Sequence, residues 1–443
     1  MSEAVCNDWF TLPLGQLAEL RRGITYSSSM LESEEDGLPY VNMKSFLKGG
    51  GFNPDGTKSY VGAYAQNDLV GDRDLLIANT DVTAGDIVGV PALLPDHLAV
   101  GKVLYSHHVT RLRINGDISV PFLYYLFCLP EYRSHMLRIS RGTTVLMLDM
   151  HAIKRIPVRA PKVEADQNRI VEILTTLDEA IQQTETLIAK MQQVKAGLMH
   201  DLFTRGVTPD GHLRPTREQA PALYKESPLG WIPQEWEVLI VDELLAKTAC
   251  PMRSGPFGSA LLKDELVEEG IPFLGIDNIF IERFYPRFNR YVSMGKYQEL
   301  IRYSVFPRDV IITIMGTVGR CCVVPEHASP MLSSKHLWTM TFDAGRVLPE
   351  LVCWQLNHAS WVKNWFACHS QGAVMEAIQS STLRNLKLPV PSIEEQKQIY
   401  DCYVGCSQGI EAEEECLAKV RHQKHGLMQD LLAGESPVAR DRK

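Results

Sequence analysis

The stretch KAGLMHDLFTRG at Lys195 returns as KHGLMQDLLAGE at Lys424. A near-copy at that distance constrains the fold more than composition does, because both copies must satisfy one plan. At the same offset of 229 residues, Gln167 meets Gln396, Ile170 meets Ile399, Ile181 meets Ile410 and Glu185 meets Glu414. Upstream, IPVRAP (156–161) faces LPVP (388–391), Gly142 faces Gly372, Pro121 faces Pro349, and Trp9 and Leu17 face Trp236 and Leu244. The chain of 443 residues is therefore a tandem duplication, roughly 1–205 and then 230–443.

Each copy ends in a long helical pattern. Apolar residues fall at Ile170, Leu174, Leu177, Ile181, Ile188, Met191, Leu198 and Leu202, in steps of three and four. The second copy keeps this frame with Ile399, Tyr403, Cys406, Ile410, Leu417, Val420, Leu427 and Leu431. Such a seam belongs to a coiled coil. The alternative is two amphipathic helices, each lying on its own domain; matching seams of matching length favour pairing with each other. PSIEEQ predicts a helix start, with Ser392 as N-cap and Glu395 closing a capping box. The first part of each copy is mixed. DLLIANT (74–80) and DVIITIMG (309–316) read as buried strands, and PFLYYLFCLPEYRSHML and PELVCWQLNHASWVKNWF as short helices. The expected order is a mixed domain over 1–160, a helix over 161–205, a Pro- and Gly-rich connector over 206–229, a second mixed domain over 230–389, a helix over 390–435 and a tail over 436–443.

The sequence lacks the common catalytic signatures. VSMGKY does not complete a phosphate loop, and no Pro-Pro occurs, which argues against an adenine methyltransferase core. EQK (395–397) has the form of a nuclease half-motif, but a glutamate in a helix's first turn is better explained by capping and the helix dipole. His107-His108 reads as a strand-edge pair rather than a metal site, and Cys402 and Cys406 as helix core. No C-x-x-C is present, and the longest apolar runs, such as VIITIM (310–315), are strand-sized. These features predict a reduced, cytoplasmic protein with no membrane partner.

The net charge is −8, yet residues 1–160 carry 15 Lys+Arg against 17 Asp+Glu and residues 230–389 carry 15 against 16. Local patches, not the total, govern contact with nucleic acid. The segment 283–308 holds Arg283, Arg287, Arg290, Lys296, Arg302 and Arg308 against the single acid Glu299, with Phe284, Tyr285, Phe288, Tyr291 and Tyr297 interleaved. Arginine and lysine neutralise phosphate, and arginine also reads guanine bidentately. A solvated sheet edge with buried aromatics is the plainer alternative. Lys335 joins this DNA-binding set. In the first copy the candidates are Lys44, Lys48 and Lys58 in a Gly-rich loop, with Arg138 and Arg141 beside Gly142; their counterpart CHSQGAV (368–374) is less basic.

Two mixed domains, each followed by a long helix, resemble the specificity subunit of a type I restriction–modification system. SGPFGSALLKDELVEEGIPFLGIDNI (254–279) and RDVIITIMGTVGRCCVVPE (308–326) resemble one class of its target-recognition domain, and DLLIANTDVTAGDIVG (74–89) another. LPVPSIEEQKQI and GLMQDLL resemble its central and C-terminal repeats. One departure is APKVEADQNRI, where Asp166 stands in the place of the family's usual glutamate. The resemblance implies an α+β fold: two recognition domains and an antiparallel coiled coil with pseudo-two-fold symmetry. It implies a subunit without catalysis, whose domains each read half of a split site in double-stranded DNA while the helices set the spacing. Two methylation subunits would grip the helices, and two restriction subunits would join them. S-adenosylmethionine, ATP and Mg would bind those partners and no cofactor this chain; the location would be prokaryotic cytoplasm, at the nucleoid. A partner fusing methylation and cleavage, and a coiled-coil DNA-binding scaffold outside restriction–modification, stay open at this level.

Overall fold

The computed structural model describes residues 8–31, 37–82, 85–95, 97–98, 101–369 and 378–434. It divides the chain into two compact units, Met1–Leu187 with Glu413–Lys443, and Ile188–Ala412. Gly372 and most of CHSQGAV lie outside the described residues.

The first unit contains β1 (Trp9–Pro13), β2 (Ala18–Arg22), β3 (Asp74–Ala78), β4 (Pro91–Ala92), β5 (Val109–Ile114) and β6 (Pro157–Pro161). Helices α1 (Val120–Cys128) and α2 (Pro130–Arg138) follow the sheet, and α3 (Glu164–Thr204) begins here. Strands β2, β5, β3 and β4 make an antiparallel sheet in that order, while β1 pairs with β6, Trp9 opposite Pro161. Every residue of DLLIA is buried because both faces of the sheet are covered. Leu75 and Ile77 point into a core with Phe122, Leu126, Ile170 and Leu174, and Leu76 and Ala78 into a second cluster with Val41, Val90 and Tyr105. That is the two-residue period of a strand.

The second unit repeats the plan with β7 (Glu237–Ile240), β8 (Met252–Ser254), β9 (Val310–Thr313), β10 (Cys321–Val323), β11 (Leu337–Met340) and β12 (Lys387–Val390), helices α4 (Pro349–His358) and α5 (Ser360–His369), and the start of α6 (Ile393–Ala433). Its antiparallel sheet runs β8, β11, β9, β10, and β7 pairs with β12. Adding six to each strand number of the first unit gives the second. Val310 and Ile312 face the helical core, Ile311 the opposite cluster. A buried aspartate stands at the start of the third strand of both units, as its first residue in the first and immediately before it in the second: Asp74 takes two 3.0 Å bonds from Arg113, and Asp309 pairs with Arg253 and accepts from Thr341 at 2.5 Å.

Both long helices have 41 residues. Within each unit their segments run antiparallel. In the first, the Lys424 ammonium meets the Asp178 carboxylate and lies 5.6 Å from the Tyr125 ring centre, and Arg421 reaches Glu185 at 2.5 Å. In the second, Lys195 donates to Ser407 Oγ at 2.8 Å and lies 4.3 Å from the Tyr403 ring centre. Lys195 and Lys424 are repeat equivalents, and so are Asp178 and Ser407. A Cβ on Gly409 would stand 3.2 Å from Met191 Cε, so the Met191 side chain of α3 packs over this turn of α6.

A glutamine staples each long helix to its domain. Gln167 Nε2 donates to the Asp117 and Pro161 carbonyls at 3.0 and 2.8 Å, and its Oε1 accepts from Ser119 N at 2.8 Å. Gln396 Nε2 donates to Arg346 and Pro391 at 3.0 and 2.9 Å, and its Oε1 accepts from Leu348 N at 2.7 Å. Ser119 and Leu348 are the N-caps of α1 and α4, so the staple holds the same place twice.

The candidate seam residues differ in burial, and Ile170 and Leu174 pack into the first unit's core and Ile399 into the second's. Ile170, Leu174, Ile188, Ile399, Ile410 and Leu417 are buried, and Leu177, Ile181 and Tyr403 are half-buried. Leu427 is not in the seam: it is 38% exposed, and Met428 takes the buried place with Leu431 and Leu432. A straight helix drifts by about 20° per heptad against a 3.5-residue repeat, which moves the buried stripe along by the last turns. Cys402 is exposed, contrary to its reading as core, because it lies beside the seam and not on it. The N-cap is as expected, Ser392 Oγ accepting from Glu395 N at 3.2 Å. The Glu395 carboxylate does not close a capping box but turns into the connector. The connector is built: Val207 bridges Leu213, Gly211 closes a turn onto Thr208, and Tyr224–Ser227 forms a hairpin with Gly230–Pro233.

Candidate nucleic-acid interface

The basic segment of the second unit starts in a tight hairpin, Ile279–Phe280 against Arg283–Phe284. Glu282 turns it with a positive φ of 58°, a conformation uncommon outside glycine. Its carboxylate is held by His358 Nε2 at 2.9 Å and Tyr403 Oη at 2.9 Å, which fastens the turn to α4 and α6. Burial pushes the Glu282 carboxyl up, but His358, Tyr403 and Lys195 outweigh it and leave it below the ordinary glutamate range. Asn278 fixes the backbone beyond the hairpin by donating to the Tyr285 and Arg287 carbonyls at 3.1 and 2.9 Å.

Two exposed guanidiniums flank one ring. Arg283 and Arg287 lie 5.9 and 5.8 Å from the Tyr285 ring centre. Arg320, from the loop before β10, lies 5.7 Å from that of Phe280. Phe280, Ile281, Arg283, Tyr285 and Arg320 line a groove of about 450 Å³. Arg283, Arg287 and Arg320 form no ion pair among the described residues; Arg283 and Arg287 are exposed and Arg320 is half-buried. Arg320 was not among the expected residues. It lies outside the 283–308 window, and its only sequence signal is the GTVGR loop.

The rest of the segment is partly neutralised. Arg290 pairs with Asp277, and Lys296 with Glu265 at 2.7 Å and Glu299 at 3.2 Å. Arg308 grips Glu350 through two nitrogens, at 2.5 and 2.9 Å, and fastens the strand to α4. Arg302 donates to Tyr303 Oη at 2.6 Å and stays exposed. Lys335 is exposed before β11; burial first, then Lys335 and Arg290, hold the His336 imidazole below its ordinary range.

In the first unit Lys44 and Lys58 are exposed without an ion pair among the described residues, while Lys48 pairs with Asp86 at 2.6 Å. The loop between them carries Gly49, Gly50 and Gly51, all with positive φ. Arg138 is exposed at the end of α2, and Arg141 reaches Asp149 at 2.6 Å. His108 Nδ1 lies 3.0 Å from Thr80 Oγ1, and its ring centre lies 3.8 Å from that of His107, the two rings tilted by 41°. Among the described residues no group of three His, Cys, Asp or Glu side chains is placed to hold a metal ion, and no helix is long and apolar enough to cross a membrane.

Residues 7–193 match the family model of the type I restriction modification DNA specificity domain. The chain is similar to the type I restriction enzyme MjaVIII specificity subunit of Methanocaldococcus jannaschii, 22% identical over 442 residues, covering 98% of this chain and 94% of that one. It is also similar to the EcoBI specificity subunit of Escherichia coli, 22% identical over 409 residues, covering 89% and 78%. Among solved structures, the S subunit of a type I restriction-modification system from M. genitalium aligns with a TM-score of 0.53 at 14% identity, over 98% of this chain and 97% of that one. A chain from a study of complex assembly and conformational transition in a type I R-M system aligns with a TM-score of 0.57 at 17% identity, over 96% and 97%. These structural likenesses are likenesses of fold.

Proposed function

We propose that this chain, similar to the specificity subunits of type I restriction–modification systems over nearly its whole length, is itself such a subunit, reads one half of a bipartite DNA site with each recognition domain and carries no catalytic centre of its own. The repetition of the glutamine staple and of the lysine bridge carries this reading. Two copies of one frame offer two like docking faces, which suits two copies of one methylation subunit. The recognition domains differ in sequence, so the two half-sites need not match. In this reading the long helices are the spacer: 41 residues at about 1.5 Å each span about 60 Å, longer than the roughly 34 Å between successive major-groove faces. Arg283, Arg287, Arg320 and Lys335, with Lys44, Lys58 and Arg138 in the first unit, are the proposed contacts to DNA. S-adenosylmethionine sits on the methylation subunits, and ATP and Mg on restriction subunits.

The test is co-expression with the neighbouring methylation subunit, followed by sequencing of modified adenines. The expected result is methylation at one split motif that depends on both proteins. Methylation that ignores this chain, or none with an active partner, refutes the reading and leaves a DNA-binding scaffold.

A further inference from the structure

The Glu395 carboxylate is buried at the first turn of α6 and accepts from several directions. Oε1 takes the Val207 amide and Arg214 Nη1, both at 2.9 Å. Oε2 takes Trp236 Nε1 at 3.1 Å, with Arg214 Nη2 at 3.5 Å. Val207 and Arg214 belong to the connector after α3, and Trp236 stands immediately before β7. Arg214 Nη1 also donates to the Arg205 carbonyl, just past the end of α3, at 2.5 Å. One carboxylate thus joins the end of α3, the entrance to the second recognition domain and the start of α6. Gly206, with φ of 67°, makes the fit possible: a Cβ there would stand 2.0 Å from Glu395 Oε1 and 2.6 Å from the Trp236 ring.

We infer that Glu395 is a positioning residue for site specificity. It fixes where the second recognition domain leaves the long helices, and so holds its half-site at one spacing from the other. The inference rests on the function proposed above. Stability alone does not account for such a device, since apolar side chains of similar volume often fill a buried ion-pair site as well or better. A carboxylate gripped by donors from separate segments instead selects a single pose, and a satisfied buried network makes that pose rigid. Helix capping, the role the sequence suggested for Glu395, would leave the connector untied.

The experiment uses the full chain with its methylation subunits. A plasmid library carries both half-sites at the native spacing and at one base pair more or fewer. Glu395→Gln keeps the shape and removes the charge. The expected result is at least a tenfold fall in the ratio of methylation at native to neighbouring spacings, with the half-site letters unchanged. An assembled E395Q complex with the wild-type ratio overturns the inference, because a merely structural residue would lower yield without widening the spacing. Trp236→Phe removes one donor and keeps the Arg214 pair; it should shift the ratio the same way by less, and it decides the matter if E395Q does not fold. Hydrogen exchange on the full chain gives a readout independent of methylation: the Val207 amide should lose protection in the variant, and unchanged protection also overturns the inference. A wild-type complex that methylates no split site refutes the proposed function instead, and the exchange result still judges the clamp.

Discussion

Replacing Gln396 with Leu removes one staple while nearly conserving volume. Gln396 is 1% exposed and Gln167 0%, so the loss is not made good by bulk water. Three bonds disappear at Gln396, to Arg346, Pro391 and Leu348. At a net value of about 1 kcal/mol each they amount to about 3 kcal/mol, and backbone groups left unsatisfied raise that by roughly 1–3 kcal/mol apiece where no water enters. Burying a leucine in place of an amide returns about 1–2 kcal/mol. With one of the three backbone groups left without water, the expected loss is roughly 2–5 kcal/mol, which with a urea slope of about 3 kcal/mol/M moves the midpoint down by roughly 0.7–1.7 M. The duplication supplies an internal control: Gln167→Leu breaks the same three kinds of bond and should lose the same amount from the first unit. Urea unfolding followed by fluorescence, with hydrogen exchange to assign each transition to its unit, measures both. A loss under about 1 kcal/mol for either variant, or a difference between them above about 1.5 kcal/mol, refutes the claim that the staple does the same work twice.

The same geometry sets other outcomes. Arg287→Ala with Arg320→Ala should weaken specific DNA binding by roughly 1–3 kcal/mol for each base that the pair reads bidentately, or flatten the salt dependence if they meet phosphate, whereas Lys296→Ala, already paired, should change little; fluorescence anisotropy across salt concentrations separates these cases, and no change for the arginine pair places the groove away from DNA. A fragment of residues 1–206 lacks Met428, Leu431 and Leu432 from its core and should dimerise through the matching end of α3 in a second copy, directing methylation to a palindrome; a monomer at micromolar concentration contradicts this. The lowered Glu282 carboxyl stabilises the fold above the unfolded glutamate value of about 4.3, and that stability is lost as pH falls through the lower folded value. His358→Ala should raise that folded value and move acid unfolding to higher pH; a midpoint that stays or falls refutes the link.

The features legible in sequence were the ones written in periodicity or repetition. The offset between Gln167 and Gln396 located both long helices, and the apolar runs at 74–78 and 310–313 located the third strand of each sheet. Features that depend on distant partners were hidden. Glu395 meets Arg214 and Trp236, which lie 181 and 159 residues away, so only its local role as a cap was readable. The count of one acid among the cations of 283–308 was sound, yet Asp277 and Glu265 reach Arg290 and Lys296 from outside that window. Arg320 joins the exposed arginines through a loop rather than through its neighbours in the chain. Leu427 failed because a fixed heptad frame was carried along a straight helix.

The two units are not equally continuous. Ile188–Ala412 is one uninterrupted stretch, but the first unit needs Glu413–Lys443 as well as Met1–Leu187. On the ribosome the order of completion is then reversed: the domain made first waits for Met428, Leu431 and Leu432 at the far end of α6, while the domain made second closes on residues translated before them. A truncation before Met428 would therefore damage the domain made first. The nascent first domain meanwhile offers an apolar surface shaped for the end of a long helix, and the first such end to emerge is its own α3, whose Met199 and Leu202 belong to the second unit's core once that unit is made.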